Sequence, residues 1–239
     1  MNQQTSTSRI VRWGGYLALV LLLALPLSIL CVRAGLWQQG LAIYALCCLG
    51  AALLLLVFAL CMVVPGFSPH RRNLAIRSLA VLPGSILFLS LLASRGDYPA
   101  IHDITTDIAD PPVFSQAAKI RGGSANSLEI SADTLELQLE AYPDVTTLHS
   151  ALSVEDAFTR ASEVARNMGW EITLSKPATG IIEAVDTTAV MAFKDDIVIR
   201  LRRENGETLV DLRSVSRVGI SDLGANSKRI RLFFEHYKS

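Results

Sequence analysis

"DDIVIRLRRENGETLVDLRSVS", residues Asp195–Ser216, specifies the architecture of this chain more strongly than any other stretch. Apolar and polar residues alternate on both sides of Asn205-Gly206, and a period of two is typical of strands with one buried face. An Asn-Gly pair between two such runs predicts a two-residue type I′ turn, because both residues tolerate positive φ. The stretch therefore predicts an antiparallel hairpin.

The predicted turn also fixes the register, since it pairs residues whose numbers sum to 411. Leu201 then faces Val210 on an apolar face that points toward a core. On the other face Arg200 lies opposite Asp211, which predicts a cross-strand ion pair. We expect this pair to be exposed and to stabilise the fold by about 0–1 kcal/mol.

Helices and further strands are predicted on both sides of the hairpin. "SVEDAFTRASEVARNMGW" has Ser153 three residues before Asp156 and apolar residues at helical spacing, which predicts a helix over about 154–168 that ends at Gly169. "WEITLS" and "GIIEAVDTT" are typical of strands. "SDLGANSKRIRLFFEHYKS" predicts a last helix over about 222–237. The expected fold is α+β, an antiparallel sheet with two covering helices.

The segment before these elements has weaker signals. Residues 97–126 are rich in Pro, Asp, Gly and Ser, which favours extended chain and turns. "RGGSANS" is typical of a flexible loop. "LEISADTLELQLEAYPDV" fits a strand by its alternation and a helix by its composition, and we slightly favour an irregular segment.

The N-terminal part differs sharply from this domain in charge. All 22 acidic residues lie at or after Asp97, and seven of the 22 basic residues lie before it. The first 96 residues therefore carry +7, and the remaining 143 residues carry −7. Three long apolar runs, at about 13–32, 41–64 and 74–93, match the thickness of a bilayer core. We predict a transmembrane anchor over 1–96 and an extracytoplasmic domain over 97–239.

Basic residues in the short loops predict the orientation of the anchor, because Lys and Arg accumulate on the cytoplasmic side. Three spans place on the inner side Arg9, Arg12, Arg71, Arg72 and Arg77, and on the outer side Arg33 and Arg95. The expected location is the bacterial inner membrane, multi-pass, with a cytoplasmic N-terminus and a periplasmic C-terminal domain.

The segments IHDITTDIADPPVF, YPDV, MGWEI, FKDDIVIRLR and DLRSVSRVGISDLGANSKRI carry a family resemblance. Their clearest motifs are a Thr-Asp…Pro-Pro-x-Phe block, from Thr106 to Phe114, and an Arg-Ser-x-Ser-Arg-x-Gly-x-Ser-Asp-Leu-Gly block, from Arg213 to Gly224. Together they resemble the domain of unknown function 1499 family over about 99–234. The resemblance implies a domain that often follows a few membrane spans, and it implies no reaction.

The end of the hairpin suggests an anion site. Arg213 and Arg217 lie at and beyond the end of a strand, Gly219 frees the backbone, and a helix N-terminus follows at about Ser221. Helix N-termini and arginine forks both suit phosphate or carboxylate groups. The candidate ligand-binding residues are Arg213, Ser214, Ser216, Arg217, Asp222, Asn226 and Arg229.

Two other interpretations of these residues stay open. In the first, aspartates near in sequence neutralise the arginines, and the serine hydroxyls bond to neighbouring backbone. The cluster is then purely structural, and the protein is a membrane-assembly component without a pocket. In the second, the same Arg/Ser/Asp cluster is the site of an enzyme that acts on an anionic substrate.

Catalytic and metal motifs are weaker. "GISDLG" misses the Gly-x-Ser-x-Gly elbow, so Ser221 is predicted to cap a helix rather than to act as a nucleophile. His102, Asp103, Asp107 and Asp110 match no known metal-binding spacing, and Asp beside Pro is common in turns. We predict no catalytic residue, metal or cofactor.

The predicted function is therefore a membrane-anchored envelope protein whose outer domain acts as a binding or interaction module. The expected partners are the lipid bilayer, a membrane or envelope protein, and an anionic small molecule. Nucleic acid is not expected as a partner, because the outer domain is acidic.

Overall fold

A computed structural model describes residues 2–93, 96 and 98–239. The chain divides into two compact units, Met1–Arg95 and Gly96–Ser239. Arg95, used above for the orientation, and Asp97, the predicted first residue of the outer domain, lie outside the described residues.

The first unit is helical. Its α-helices are α1, α2 and α3, over Asn2–Arg33, Trp37–Val63 and Arg71–Ala93. Three helical stretches, 9–33, 37–63 and 65–93, are long and apolar enough to cross a membrane, and each contains or closely overlaps one of the predicted spans. Pro83 lies inside α3 without ending it, as bilayer helices tolerate.

Small residues allow these helices to pack closely. A Cβ atom on Gly84 would lie 2.7 Å from the Cβ of Ala51, so a side chain on Gly84 would push α2 and α3 apart. Arg77 lies within the third apolar stretch, and its guanidinium donates to the carbonyl oxygen of Val11. The guanidinium of Arg77 therefore has a hydrogen-bond acceptor within the helical unit.

The second unit is an α+β domain. Its elements, in chain order, are β1 (Asp103–Thr105), α4 (Ala117–Ile120), α5 (Ala132–Ala141), β2 (Leu148–Ser150), α6 (Val154–Asn167), β3 (Glu171–Lys176), β4 (Ile181–Thr187), β5 (Lys194–Glu204), β6 (Glu207–Ser216) and α7 (Ala225–Lys238). The sheet is antiparallel, with the order β1-β6-β5-β4-β3, and β2 also pairs with β6.

The predicted hairpin is confirmed. Leu201 pairs with Val210, and the other pairs follow the same register. Asn205 and Gly206 have φ values of 48° and 88°, and a type I′ turn requires positive φ at both positions. The strongest local signal of the sequence therefore forms the middle of the sheet.

One face of this hairpin packs against α6 and α7 to form the main core. Buried side chains of β5 and β6, among them Ile199 and Leu212, meet Phe158 of α6 and Phe233 of α7. The Ser153 hydroxyl caps α6 by accepting from the N–H of Asp156 at 3.1 Å, as predicted. The predicted α+β class is confirmed, although α7 begins three residues later than expected.

The slight preference for an irregular segment near residue 135 was wrong, because this segment forms α5. Ser131 caps the helix by accepting from the N–H of Thr134. Gln138 is buried and bonds to both backbone groups of Thr105, at 2.9 and 2.7 Å. This contact across 33 residues favours the helix, and no local pattern reveals it.

The expected exposure of the Arg200–Asp211 pair was also wrong. The pair forms, with Nη2 of Arg200 3.1 Å from Oδ2 of Asp211, but the Asp211 side chain is fully buried. Asp107 also contacts Arg200, and Thr147 donates to Asp211 at 2.6 Å. Since these groups from distant segments cover the face, the pair is part of a partly buried network and not a surface ion pair.

Candidate functional site

Strand β6 carries several of the predicted ligand-binding residues and distributes them between two faces. Side chains alternate along a strand, so Arg213 points away from α7 whereas Ser214 and Ser216 point toward it. Arg217 follows the last residue of the strand. The seven predicted residues are therefore separated by the sheet and do not converge on one point.

On the face toward α7, hydroxyl and amide groups bond to one another. Ser214 donates to Oδ1 of Asn226 at 2.7 Å, and Nδ2 of Asn226 lies 3.0 Å from the Ser216 hydroxyl. The expectation that these serines bond to neighbouring backbone was wrong, because the first turn of α7 brings the Asn226 amide within reach of both hydroxyls. Both serines are buried in this arrangement.

Arg229 completes this cluster and is fully paired. Its Nε donates to Asp186 at 2.8 Å, and its Nη2 donates to Asp195 at 2.5 Å. Its Nη1 bonds to the Ser214 hydroxyl and to the side-chain oxygen of Asn226. We call these side chains, namely Asp186, Asp195, Ser214, Ser216, Asn226 and Arg229, the helix-side network.

Asp222 uses the N-terminus of α7 internally. Its carboxylate accepts from the N–H groups of Gly224 at 2.9 Å and of Asn226 at 2.8 Å. Burial raises the pKa of Asp222 despite these hydrogen bonds, and the charge of Asp195 acts in the same direction. The donors that an anion would need at this helix end are therefore already engaged by a carboxylate.

On the opposite face, Arg213 is buried and has partners for each guanidinium nitrogen. It forms a bidentate pair with Asp103, at 2.9 and 2.7 Å. It also donates to the carbonyl oxygens of Pro112 and Leu128, at 3.2 and 2.6 Å, and its guanidinium lies over the ring of Phe114. Arg213 thus ties the segment after β1 to the sheet.

Arg217 and Arg121 share one carboxylate at the edge of this face. Arg217 forms a bidentate pair with Asp196, at 3.0 and 2.7 Å. Nε of Arg121 lies 3.3 Å from Oδ2 of the same aspartate, and the Arg121 side chain is only 6% exposed. This contact is an ion pair without a hydrogen bond, and among the described residues Nε, Nη1 and Nη2 of Arg121 have no hydrogen-bond partner.

Charge is unbalanced in this second cluster. It contains three arginines and two aspartates, Arg121, Arg213, Arg217, Asp103 and Asp196, which we call the loop-side cluster. Burial lowers the pKa of Arg121, and the neighbouring arginines add to this effect against the attraction of the aspartates. The loop-side cluster therefore has one positive charge in excess and unused donors.

Arg121 was missed by the sequence interpretation. It begins the segment "RGGSANS", whose glycines and serines predict only a loop. The loop is held against the sheet by Asn126, which donates to the carbonyl oxygens of Ser216 and Gly219 at 3.0 and 2.8 Å. No periodic signal could have placed Arg121 beside Asp196, since the contact depends on this distant anchor.

A groove with a volume of about 490 Å³ lies elsewhere on the domain, between residues 106–109 and 139–149. Tyr142 lines this groove, and its hydroxyl has no hydrogen-bond partner among the described residues. The acidic and histidine side chains of the groove already have partners. Asp107 pairs with Arg200 at 2.9 Å, and His149 pairs with Glu207 at 2.8 Å. The groove is therefore large enough for a ligand but has few charged groups that are free to bind one.

The residues of the candidate catalytic and metal motifs make structural contacts within the domain. The prediction that Ser221 caps the last helix was wrong, because α7 begins at Ala225 and its N-cap is Gly224. The Ser221 hydroxyl instead donates to the carbonyl oxygen of Pro99 at 2.9 Å and accepts from the N–H of Leu223 at 3.2 Å. Asp103 pairs with Arg213, and Asp107 and Asp110 pair with Arg200. Within residues 2–93, 96 and 98–239, no group of three His, Cys, Asp or Glu residues is placed to hold a metal ion.

Comparison with known proteins identifies the domain. The sequence model of a family described as protein of unknown function, DUF1499, matches residues 103–236, more than half of the chain. The match runs from β1 into α7 and so covers both charged clusters. No curated protein matches the chain.

Proposed function

This chain belongs to the DUF1499 family of proteins of unknown function, and from that premise we propose that it is a membrane-anchored binding module. Its outer domain binds an anionic ligand at the loop-side cluster, beside Arg121 and Arg217. The ligand is an oxyanion, such as a phosphate or carboxylate group, and binding involves no catalytic step.

The observation that carries this proposal is the state of Arg121. A buried guanidinium without hydrogen bonds is costly, because its lost hydration is not replaced. The aspartate nearest to it already has a bidentate partner in Arg217. An oxyanion would supply both the missing acceptors and the missing negative charge, and arginine forks bind such groups in a bidentate manner.

The helix-side network supports the proposal by contrast. Arg229 donates from all three of its guanidinium nitrogens to side chains of the same domain, so an anion there would have to displace an aspartate. Of the seven residues predicted from sequence, we therefore retain Arg217 for the ligand and add Arg121. The ligand-binding role of the others stays a prediction.

The Arg121 side chain is only 6% exposed, so we propose that an anion reaches it when the turn that follows it moves. Gly122 and Gly123 face open space, since a Cβ atom added to either glycine would have none of the described atoms within 4 Å. Two consecutive glycines give the backbone of this turn wide conformational freedom. In the proposed mechanism the turn opens, the anion enters between Arg121 and Arg217, and the turn closes over it.

The orientation of the anchor is part of the proposal. Five arginines lie in the N-terminal part of α1 and the first turns of α3, whereas among the described residues Arg33 is the one arginine near the α1–α2 connection. The bias of basic residues toward the cytoplasm supports a cytoplasmic N-terminus. The outer domain then faces the periplasm of a bacterial inner membrane.

Thermal unfolding of the full chain in detergent, with and without oxyanions, tests the binding site. Phosphate, sulfate, citrate and glycerol phosphate serve as probes. We expect at least one of them to raise the midpoint of unfolding of the wild type in a dose-dependent way, since a ligand that binds only the folded state stabilises it. Arg121→Met should abolish this rise.

The control variants separate binding from folding. Arg121→Met should unfold within about 1 kcal/mol of the wild type, because Asp196 keeps its bidentate partner Arg217 and an apolar side chain of similar length replaces a guanidinium without hydrogen bonds. Arg231→Met, which removes a partly exposed arginine paired with Asp144, should retain the response to anions. If none of the probes raises the midpoint of unfolding of the wild type, the loop-side cluster has only a structural role and the proposal is overturned.

A further inference from the structure

The two ends of the sheet differ in chemistry. At one end lies the hairpin turn, where Glu204, Asn205, Gly206 and Glu207 are all exposed. At the other end β6 finishes at Ser216, paired with Asp195 near the start of β5. The turn between β4 and β5, and the loop between β6 and α7, both belong to this second end.

Large apolar side chains are exposed at this second end. Ile220 is 78% exposed and Leu223 is 63% exposed, both in the loop between β6 and α7. Val190 in the β4–β5 turn is also exposed, as is Tyr98 before β1. We call Tyr98, Val190, Ile220 and Leu223 the apolar end. Removing apolar side chains from water is favourable, so the exposure of these four residues indicates a contact surface.

The loop between β6 and α7, which carries Ile220 and Leu223, is held in a defined conformation. The N–H of Asp222 donates to the carbonyl oxygen of Ile101 at 3.0 Å, and the Ser221 hydroxyl donates to that of Pro99. Leu223 has a φ of 52°, a conformation that residues other than glycine seldom adopt. The loop is therefore built so that Ile220 and Leu223 remain exposed, and it is tied to residues 99–101.

The same residues 99–101 follow closely on the third candidate membrane span. Helix α3 ends at Ala93, and five peptide steps separate it from Tyr98. Consecutive Cα atoms are about 3.8 Å apart, so the chain spans at most about 19 Å between these residues. If α3 crosses the bilayer, Tyr98 and the loop bonded to Pro99 cannot lie far from its surface.

We propose that the outer domain docks on the lipid bilayer through the apolar end. Ile220, Leu223 and Val190 enter the boundary between headgroups and acyl chains, and Tyr98 lies at the headgroup level, where amphipathic aromatic rings are favoured. Apolar contact drives the docking, since the outer domain carries −7 and gains little from anionic lipids. The inference rests on the membrane anchoring proposed above.

Depth-dependent fluorescence quenching tests this contact. The full chain, with Cys31, Cys47, Cys48 and Cys61 replaced by alanine, receives one cysteine through Ile220→Cys, Leu223→Cys or Leu152→Cys. Leu152 is an exposed leucine at the hairpin end, where its carbonyl oxygen accepts from Thr208. Each variant is labelled with bimane and reconstituted in phosphatidylcholine vesicles that contain lipids with a nitroxide near the headgroup.

We expect the labels at positions 220 and 223 to be quenched several-fold more strongly than the label at position 152. A chain that retains Cys61 as its single cysteine is the reference for anchoring, because this residue lies in α2. Quenching at Cys61 together with equal, weak quenching at 220 and 152 would overturn the docking and leave the anchoring intact. An unquenched label at Cys61 would overturn the anchoring and, with it, the docking.

A second copy of the chain is the alternative occupant of the apolar end. Cross-linking between copies through Ile220→Cys, without quenching of its bimane label by lipid, would overturn the lipid assignment. The variant Ile220→Asp supplies a further check, with the label at Leu223→Cys. Docking predicts that this variant remains folded and that quenching at position 223 falls toward the level at position 152.

Discussion

The helix-side network and the loop-side cluster lie on opposite faces of β6 and use the same residue types, yet they differ in charge balance. The first sets one arginine, Arg229, against two aspartates and satisfies all three of its guanidinium nitrogens. The second sets three arginines against two aspartates and leaves Arg121 without a hydrogen bond from its guanidinium to any described residue. Complete pairing is typical of a structural role, whereas the excess positive charge around Arg121 is the feature on which the proposed anion site rests.

The largest expected effect comes from breaking the helix-side network. Arg229→Met leaves Asp195 buried without its cation, and loss of one partner of a buried ion pair costs about 3–5 kcal/mol. Chemical unfolding of the full chain, in which Trp13 and Trp37 are replaced by phenylalanine so that Trp170 is the single tryptophan, measures this loss by fluorescence. Lys228→Met, which removes an exposed charge from the same helix, is the control and should change stability little. If both variants were equally stable, the helix-side network would not be a structural element.

The second prediction concerns Glu183, which lies on the same face of the sheet as the loop-side cluster. Glu183 is fully buried, and its carboxylate accepts from the N–H groups of Ser115, Gln116 and Ala117. Glu183→Gln would place a side-chain NH2 group opposite these backbone N–H groups. Because two donors then face each other, the free energy of unfolding should fall by about 2 kcal/mol. Glu163→Gln, on the exposed side of α6, provides the matched control in the same unfolding assay. A loss no larger than that of the control would mean that Glu183 does not hold the segment that leads into Arg121.

The helix-side face should also respond to pH through Asp222. Because burial raises the pKa of Asp222 in the fold, the folded state binds its proton more tightly than the unfolded state. This contribution to stability is present below the ordinary aspartate pKa of about 3.9 and is lost as the pH rises through the folded pKa. Relative to Asp222→Asn, the wild type should therefore lose stability over the pH range above about 4, as the pH rises through the folded pKa of Asp222. A constant difference between the two proteins across this range would contradict the prediction.

The smallest effect is expected at Asp144, which belongs to neither cluster. Its exposed carboxylate pairs with Arg231 at 2.6 and 2.8 Å, and this hydrogen bonding lowers the pKa of Asp144. Exposed pairs contribute little, so Asp144→Asn should cost about 0.5 kcal/mol at neutral pH. The contribution is present above the ordinary aspartate pKa and is lost as the pH falls through the folded pKa, opposite in sign to Asp222. The stability of Asp144→Asn and of Asp222→Asn, each measured against the wild type as a function of pH, should therefore change in opposite directions.

Local signals predicted much of the fold. The Asn205-Gly206 turn predicted the register of β5 and β6, and Ser153 predicted the start of α6, because each depends on residues within a few positions. The motif from Arg213 to Gly224 led to the right family. The prediction failed for α5, where Gln138 bonds to the backbone of Thr105, since that stabilisation comes from a partner far along the chain.

The candidate site was harder to predict than the fold. Sequence reasoning grouped Arg213, Arg217 and Arg229 because they are close in number, but strand alternation and the sheet between them place Arg229 on the other face. It also treated Arg200 and Asp211 as a surface pair, although the chain after β1 covers them. Proximity in sequence does not determine which loop later closes over a side chain.

The sequence by itself determined the three apolar helices, the hairpin, the capped helix α6 and the family. These follow from residue composition, periodicity and turn chemistry, which act over a few residues. Only the tertiary structure decided which charges are neutralised, that Arg121 lies buried beside Asp196, and that Ile220 and Leu223 share an end with Tyr98. The physical reason is that burial and ion pairing depend on contacts between distant segments, and these contacts exist only once the sheet has formed.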